Sequence, residues 1–169
     1  METAVAVTTE LAATEPLSCL SVVIPARDEE GCIRSTVEHL HLELSIHNVP
    51  HEIVVVDDGS QDSTWQILTD LCERIPELHP VQNKGANGFG RAIISGLDAM
   101  HGDAVVLMMA DESDDCRDVV TYWQTLNQGY DCVFGSRFIK GGGTIDYPRF
   151  KLIMNRLSTR LCELPFISP

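Results

Sequence analysis

The chain alternates short apolar runs with longer segments in which apolar residues recur every three or four positions. Short runs rich in β-branched residues predict buried strands, and the longer period predicts amphipathic helices. The predicted strands are residues 20–25, 53–56, 78–82, 104–110 and 131–134. The predicted helices lie around residues 33–44, 64–74, 91–100 and 117–126. This order predicts an α/β fold with a doubly wound, mostly parallel sheet.

The length of 169 residues suits one such domain. Residues 1–16 lack both the basic start and the long apolar stretch of a secretory signal, so they predict a loose, disordered tail before a single domain over residues 17–169. Each apolar run is far shorter than the ~20 residues of a membrane-spanning helix. We therefore expect no segment to cross a bilayer.

The net charge of −13 disfavours nucleic acid as a partner, because binding to a phosphate backbone depends on clustered Lys and Arg. Because the chain is acidic overall, an anionic ligand can bind only where helix N-termini, a few basic residues or a divalent cation supply positive charge locally. The six cysteines are scattered without a CxxC pair, which indicates reduced thiols in a cytoplasmic compartment.

Polar loops directly follow three of the predicted strands, with the sequences PARDEE, DDGS and MADESDD. The carboxyl ends of parallel strands meet at one edge of a sheet, so we expect one crevice to collect these loops. The third loop carries four carboxylates that repel one another unless Mg²⁺ or Mn²⁺ is bound. The alternative is an exposed acidic loop in which Asp114 or Asp115 caps the next helix.

The DDGSQDST segment places Asp57 at a strand end, where its carboxylate can accept hydrogen bonds from a base or ribose. Three of its other polar residues are expected only to shape the turn and cap the next helix, namely Ser60, Asp62 and Thr64.

Two glycine-rich segments are less specific. NKGANGFG exposes backbone amides before a helix but matches neither a Walker A nor a dinucleotide motif; Lys84 could contact an anion there, and Arg91 is expected to be surface charge. Three consecutive glycines at 141–143 follow Arg137 and predict either a mobile flap over a ligand or a linker.

Taken in order, the segments VVIPARDEE, VVVDDGSQDST, NKGANGFGRAIISGL, MADESDD and GSRFIKGGG resemble the dolichol-phosphate mannosyltransferases and their polyprenyl-phosphate relatives. The resemblance runs from about residue 20 to residue 161 and implies a GT-A fold, a Rossmann-like nucleotide-sugar-binding domain. Family members continue beyond this point, so the domain at 17–169 is expected to be incomplete at its C-terminal side.

The resemblance also implies site residues. The nucleotide-binding positions it implies are Pro25, Ala26, Arg27 (where the family often has an aromatic residue), Glu29, Val55, Asp57 and Ala110, and Lys84 joins them as the anion contact of the glycine-rich segment. The family's Asp-x-Asp metal motif reads Met109-Ala110-Asp111 here, so Asp111 keeps the second carboxylate, with Glu112 or Ser113 as compensating ligands. Asp111 and Arg137, which matches the arginine facing the sugar diphosphate, are the expected catalytic residues.

The implied reaction moves a sugar, mannose or similar, with inversion from a GDP- or UDP-sugar to a polyprenyl or dolichyl phosphate. An acceptor phosphate is already ionised at neutral pH, so no general base is required, and none of the six histidines is assigned a role. The protein would then act in the cytoplasm, peripherally at the membrane face, with room for a membrane-bound partner subunit.

Two other functions stay open. A catalytically inactive nucleotide-sugar-binding or regulatory protein would explain Met109 and the early end of the chain. A nucleotidyltransferase would need a basic glycine-rich loop after the first strand, where this chain has the acidic PARDEE.

Overall fold

The computed structural model describes residues 3–7 and 17–136, with side chains described for 17–135. The helices and strands are, in chain order, β1 Thr3–Val7, β2 Leu20–Ala26, α1 Ile33–Ile46, β3 His51–Asp57, α2 Thr64–Cys72, β4 Leu78–Gln82, α3 Phe89–Ala99, β5 Ala104–Leu107, α4 Cys116–Leu126 and β6 Cys132–Ser136. Strands β4, β3, β2 and β5 form a parallel sheet in that order. The predicted α/β fold with its parallel sheet is confirmed.

Helices cover both faces of this sheet. In β2 and β3, alternate residues such as Ile24 and Val55 point into a large core shared with α1, α2 and α4. Their neighbours Val23, Val54 and Val56 pack on the other face against α3. The strands are therefore apolar on both sides, as parallel strands between two helical layers must be.

The ends of the chain differ from the sequence prediction. Thr3–Val7, inside the predicted loose tail, form β1 and pair antiparallel with β6. The predicted fifth strand is thus β6, but it joins this two-stranded sheet and lies outside the four-stranded one. Pairing between residues about 130 positions apart leaves no local signal in the sequence.

Strand β5 is also shorter than predicted, ending at Leu107 instead of Ala110. The amide of Met108 still donates to the carbonyl of Val23 at 3.1 Å. The next amide, that of Met109, donates to the carboxylate of Asp114 at 2.8 Å, so the chain turns into the acidic loop one residue later.

At the amino-terminal edge of the sheet, the buried carboxylate of Glu52 joins three segments. It accepts hydrogen bonds from the Ser21 hydroxyl at 2.6 Å, from the Gly102 amide at 3.1 Å and from the His101 amide. Burial alone would raise the pKa of Glu52, but these hydrogen bonds outweigh it and lower the pKa to about 2. Glu52 is therefore ionised and holds β2, β3 and the α3–β5 turn together.

Helix α3 approaches the sheet closely at Gly96. A Cβ there would lie 2.4 Å from Cγ1 of Val23 and 3.1 Å from Cγ2 of Val56. Gly90, in the first turn of the same helix, has open space around the corresponding position. Glycine at 96 is thus required by packing rather than by backbone conformation.

Within residues 17–136, no helix combines the length and the apolar character needed to span a membrane.

Replacing Glu52 by Gln should lower the free energy of unfolding at pH 7 by about 2 kcal/mol, because three donors lose a charged acceptor. The folded pKa of about 2 lies below the ordinary glutamate pKa of 4.5, so this stabilisation is present above pH 4.5 and is lost as the pH falls toward 2. Urea denaturation of the parent and the variant at pH 7 and pH 3 measures the difference in free energy of unfolding at each pH. An exposed control, Glu73→Gln, should change stability by less than about 0.5 kcal/mol; an equal effect of both variants would contradict the assignment.

Gly96→Ala should destabilise the domain by about 1–2 kcal/mol, since overpacking against two buried valines exceeds the gain in helix propensity. Gly90→Ala is the matched control in the same helix and should be neutral or slightly stabilising. Thermal unfolding of the two variants side by side distinguishes packing from propensity. A stabilised Gly96→Ala protein would show that α3 can move away from the sheet at no cost.

Candidate functional site

Four loops lie at the carboxyl edge of the sheet, comprising residues 27–32, 58–63, 83–88 and 108–115. Strand β2 lies between β3 and β5, and both neighbours run parallel to it. Asp57, which ends β3, and Asp111, which follows β5, therefore lie at the same edge. The prediction that these loops share one edge of the sheet is confirmed, and a single crevice that collects them stays a prediction.

The loops after β2 and β3 are joined by hydrogen bonds through their backbone amides. Three consecutive amides, those of residues 28, 29 and 30, donate to the side chains of Ser60, Thr64 and Asp62 at 2.9–3.0 Å. In return, Asp28 accepts from the amide of residue 61 at 2.6 Å, and Glu30 accepts from that of residue 63 at 3.0 Å. Five hydrogen bonds thus make one unit of two loops.

The polar residues of DDGSQDST consequently do more than the sequence analysis assigned to them. The N-cap of α2 is Ser63, and Asp62 before it accepts from the first amide of the helix, that of Thr64, at 3.0 Å. Ser60, Asp62 and Thr64 also accept hydrogen bonds from amides of the preceding loop. These bonds have no local signal in the sequence, because the donors are more than 30 residues away in the chain.

Asp58 connects the same turn to the glycine-rich loop. Its buried carboxylate accepts from Nδ2 of Asn83 at 2.5 Å and from the amide of Gly88 at 2.7 Å. Gly88 is the N-cap of α3, so Asp58 satisfies one of the free amides at the start of that helix. Gly59 has φ +78, and a Cβ there would lie 2.9 Å from Nδ2 of Asn87.

Most carboxylates of the acidic loop have local partners. Asp114 accepts from the Met109 amide, and Asp115 caps α4 by accepting from the amide of Arg117 at 3.0 Å. The cap that the sequence analysis kept as an alternative is therefore present at Asp115. Asp111 accepts from the Ser113 amide at 3.1 Å, and hydrogen bonds from the hydroxyl and amide of Ser113 lower the pKa of Asp111. Asp111 is exposed and ionised.

The first loop and the acidic loop meet near Cys32, the N-cap of α1. The thiol of Cys32 donates to the carboxylate of Glu29 at 3.0 Å. Burial is the largest cause of the raised pKa of this thiol, about 11, and the hydrogen bond to Glu29 adds to it. The negative charges of Glu112 and Asp111 act in the same direction. Three carboxylates from two loops therefore lie within electrostatic reach of one group.

No group of three His, Cys, Asp or Glu side chains is arranged to hold a metal ion by itself between residues 17 and 136. The oxygen ligands that the acidic loop offers are the exposed carboxylates of Asp111 and Glu112 and the hydroxyl of Ser113. Glu112 has φ +59, a backbone conformation uncommon for residues other than glycine.

A cleft of about 390 Å³ opens beside the acidic loop, between α1 and α4. Glu112 and Asp114 line it from the loop, and Thr36 and His39 line it from α1. Thr36 also donates to the Ala110 carbonyl at 2.8 Å, which attaches the acidic loop to α1.

The predicted nucleotide-binding residues fall into two groups. Ala26, Val55, Asp57 and Ala110 are buried, and Val55 has no exposed surface because it packs in the core. Pro25 is likewise buried in β2.

The second group comprises polar side chains of the loops. Arg27 is half exposed, with its Nε 3.9 Å from Asp28, and Lys84 is exposed in the glycine-rich loop. The carboxylate of Glu29 is held by Cys32. Arg137 and the glycines 141–143 lie outside the described residues.

A parallel sheet with helices on both faces and polar loops at its carboxyl edge is the architecture of a GT-A nucleotide-sugar-binding domain. The chain belongs to glycosyl transferase family 2, whose model matches residues 21–166.

Two curated relatives are polyprenyl-phosphate enzymes by name. The dolichol-phosphate mannosyltransferase of Pyrococcus furiosus is 29% identical over 139 residues, covering 81% of this chain and 38% of the relative. The undecaprenyl-phosphate 4-deoxy-4-formamido-L-arabinose transferase of Yersinia enterocolitica is 26% identical over 153 residues, covering 89% and 44%. The chain thus spans less than half the length of these relatives.

Solved structures share the fold. A mannosyltransferase from Pyrobaculum calidifontis in complex with GDP-Man and Mn²⁺ superimposes with a TM-score of 0.55 and 24% identity, covering 68% of this chain and 32% of that one. Glucosyl-3-phosphoglycerate synthase from Mycobacterium tuberculosis in complex with UDP gives a TM-score of 0.51 and 26% identity, covering 66% and 40%.

Replacing Asp58 by Ala should lower the free energy of unfolding by about 2–3 kcal/mol, because the Asn83 side chain and the Gly88 amide lose a charged acceptor. Asp111→Ala, in an exposed position of the acidic loop, is the control and should stay within about 0.5 kcal/mol of the parent. Urea denaturation measures both. A stable Asp58→Ala protein would mean that the glycine-rich loop holds its position without this carboxylate.

Proposed function

We propose that this chain is the donor-binding domain of an inverting glycosyltransferase that moves a sugar from a nucleotide diphosphate sugar to a polyprenyl phosphate. The observation that carries the proposal is the gathering of Glu29, Asp57 and Asp111 at the carboxyl edge of a family 2 domain. Ligands of open α/β sheets bind beyond this edge.

The relatives support the acceptor and the donor separately. Both curated relatives carry a polyprenyl phosphate in their names, dolichol phosphate in one and undecaprenyl phosphate in the other. The Mycobacterium tuberculosis enzyme, at 26% identity, was solved with UDP. A nucleoside diphosphate leaving group and a lipid phosphate acceptor are therefore the ligands we assign to this chain.

The acidic edge requires a cation if it is to bind a diphosphate. Mg²⁺ is commonly held by one or two carboxylates together with substrate phosphates, so a complete protein cage is not needed. Asp111 and Glu112 supply two such carboxylates, and Ser113 supplies a hydroxyl. This donor set fits Mg²⁺ or Mn²⁺, which when bound would neutralise charge on the leaving diphosphate.

The remaining roles follow from charge and position. Asp57, at the end of β3, would accept hydrogen bonds from the base or ribose, and Arg27 and Lys84 would supply positive charge around the nucleotide. Val55, Ala26 and Ala110 would act by holding the strand ends and the acidic loop in place. Arg137 is proposed to face the sugar diphosphate.

The acceptor oxygen of a lipid phosphate carries negative charge at neutral pH, so it can displace the nucleoside diphosphate without a general base. Direct displacement from the opposite face inverts the anomeric carbon. A lipid acceptor also implies that the protein works peripherally at a membrane surface on the cytoplasmic side, with the remaining acceptor contacts supplied by further chain or by a membrane-bound partner subunit.

Isothermal titration calorimetry with UDP and GDP, each with and without Mn²⁺, tests donor binding. We expect one of the two nucleotides to bind, and Mn²⁺ to strengthen binding by at least about tenfold. Asp111→Asn should remove most of the Mn²⁺ effect, whereas Asp98→Asn, exposed on α3, should leave it unchanged. Absence of binding to both nucleotides would overturn the proposal.

The same protein can be assayed for transfer of radiolabelled sugar to polyprenyl phosphate. Product supports the transferase. Nucleotide binding without any product would favour the alternative, an inactive donor-binding protein, for which Met109 in the metal motif is the motivating observation.

A further inference from the structure

We propose that Thr64, together with Ser60 and Asp62, is a positioning residue for donor binding: the three side chains form a clamp that sets the loop at residues 27–32 against the end of β3. This inference rests on the proposed function and adds residues that make no contact with the donor themselves.

The clamp rests on three successive backbone amides. An irregular loop has no helical or sheet partner for its amides, so they must bind water or side chains. Here the amides of residues 28, 29 and 30 donate, respectively, to the side chains of Ser60 in the loop after β3, Thr64 at the start of α2, and Asp62 in the same loop.

Thr64 is the centre of the clamp. Its side chain is fully buried, and Oγ1 accepts from the amide of Glu29 at 2.9 Å while donating to Oδ1 of Asp62 at 2.6 Å. Asp62 in turn uses Oδ2 to accept from the amide of Glu30. The buried hydroxyl of Thr64 thus fixes both the neighbouring carboxylate of Asp62 and the backbone of the loop at residues 27–32.

The clamp also determines which side chains of the first loop remain for a ligand. Asp28 and Glu30 are both occupied by amides of residues 61 and 63. The carboxylate of Glu29 instead accepts from the Cys32 thiol near the acidic loop, and the side chain of Arg27 is half exposed. Asp28 and Glu30 therefore hold the clamp together, whereas Arg27 and Glu29 are the residues of this loop that we assign to the crevice.

Positioning matters because the donor would contact both loops at once. Asp57 belongs to the strand that leads into residues 58–63, whereas Glu29 and Arg27 belong to the other loop. A ligand that bridges two elements loses affinity when one shifts relative to the other, even if every contacting residue is still present.

The test compares Thr64→Val, which keeps the shape of threonine but removes the hydroxyl, with Thr64→Ser, which keeps the hydroxyl. Calorimetry with the nucleotide that the parent binds, in the presence of Mn²⁺, should show a Kd about tenfold weaker for Thr64→Val and within about twofold of the parent for Thr64→Ser. Gly96→Ala, which perturbs the opposite face of the sheet, serves as the stability control and should keep the parent Kd.

Hydrogen exchange measured by mass spectrometry, without nucleotide, reports on the clamp independently of the function. The peptide covering residues 26–32 should exchange faster in Thr64→Val than in the parent or in Thr64→Ser. If the parent binds no nucleotide, the proposed function fails while this exchange still tests the clamp.

The clamp is overturned if Thr64→Val exchanges and binds like the parent, or if Thr64→Ser loses as much affinity as Thr64→Val. Should Thr64→Val fail to fold, Ser60→Ala takes its place, since it removes the acceptor of the Asp28 amide from a partly exposed position. It should speed exchange in the same peptide and weaken nucleotide binding; unchanged values for both would also overturn the clamp.

Discussion

The parallel pairing of β2 with β3 on one side and β5 on the other is the constraint on which the site depends. Parallel strands all end at the same edge, so the three loops that follow them must meet there. Residues 31 positions apart, such as Ala26 and Asp57, become partners in register. Buried valines and isoleucines on both faces of the sheet hold this register, because a slip by one residue would exchange the two faces.

The high content of acidic residues has a structural explanation. Asp28, Asp58, Asp62 and Asp115 each accept backbone amides in turns or at helix starts. Glu52 does the same at the opposite edge of the sheet. A carboxylate accepts several hydrogen bonds at once and so suits loops whose amides lack regular partners. Asp57 is likewise buried and accepts from the amide of Ser60 at 3.1 Å, so the exposed carboxylates at this edge are chiefly Asp111 and Glu112 of the acidic loop.

Met109 stands where the resemblance places the first carboxylate of an Asp-x-Asp motif. Its backbone amide donates to the carboxylate of Asp114. Asp111 stays exposed, and its low pKa follows from the hydrogen bonds of Ser113. The loop is therefore ordered by contacts among its own residues and by the Thr36–Ala110 bond to α1, and the carboxylate of Asp111 on it is exposed and ionised.

The sequence alone determined the order of strands and helices from β2 to β6, the parallel sheet and the family, because apolar periodicity and the spacing of short motifs are local properties of the chain. It also placed Asp57 and Asp111 at one edge, since both directly follow strands. Only the tertiary structure decided which side chains bond across loops, as Thr64 does to Glu29 and Asp58 to Gly88. A hydrogen bond needs a donor and an acceptor about 3 Å apart, and these groups approach each other only after the strands have paired. The pairing of β1 with β6 could not be predicted either, because the paired residues come from opposite ends of the described chain.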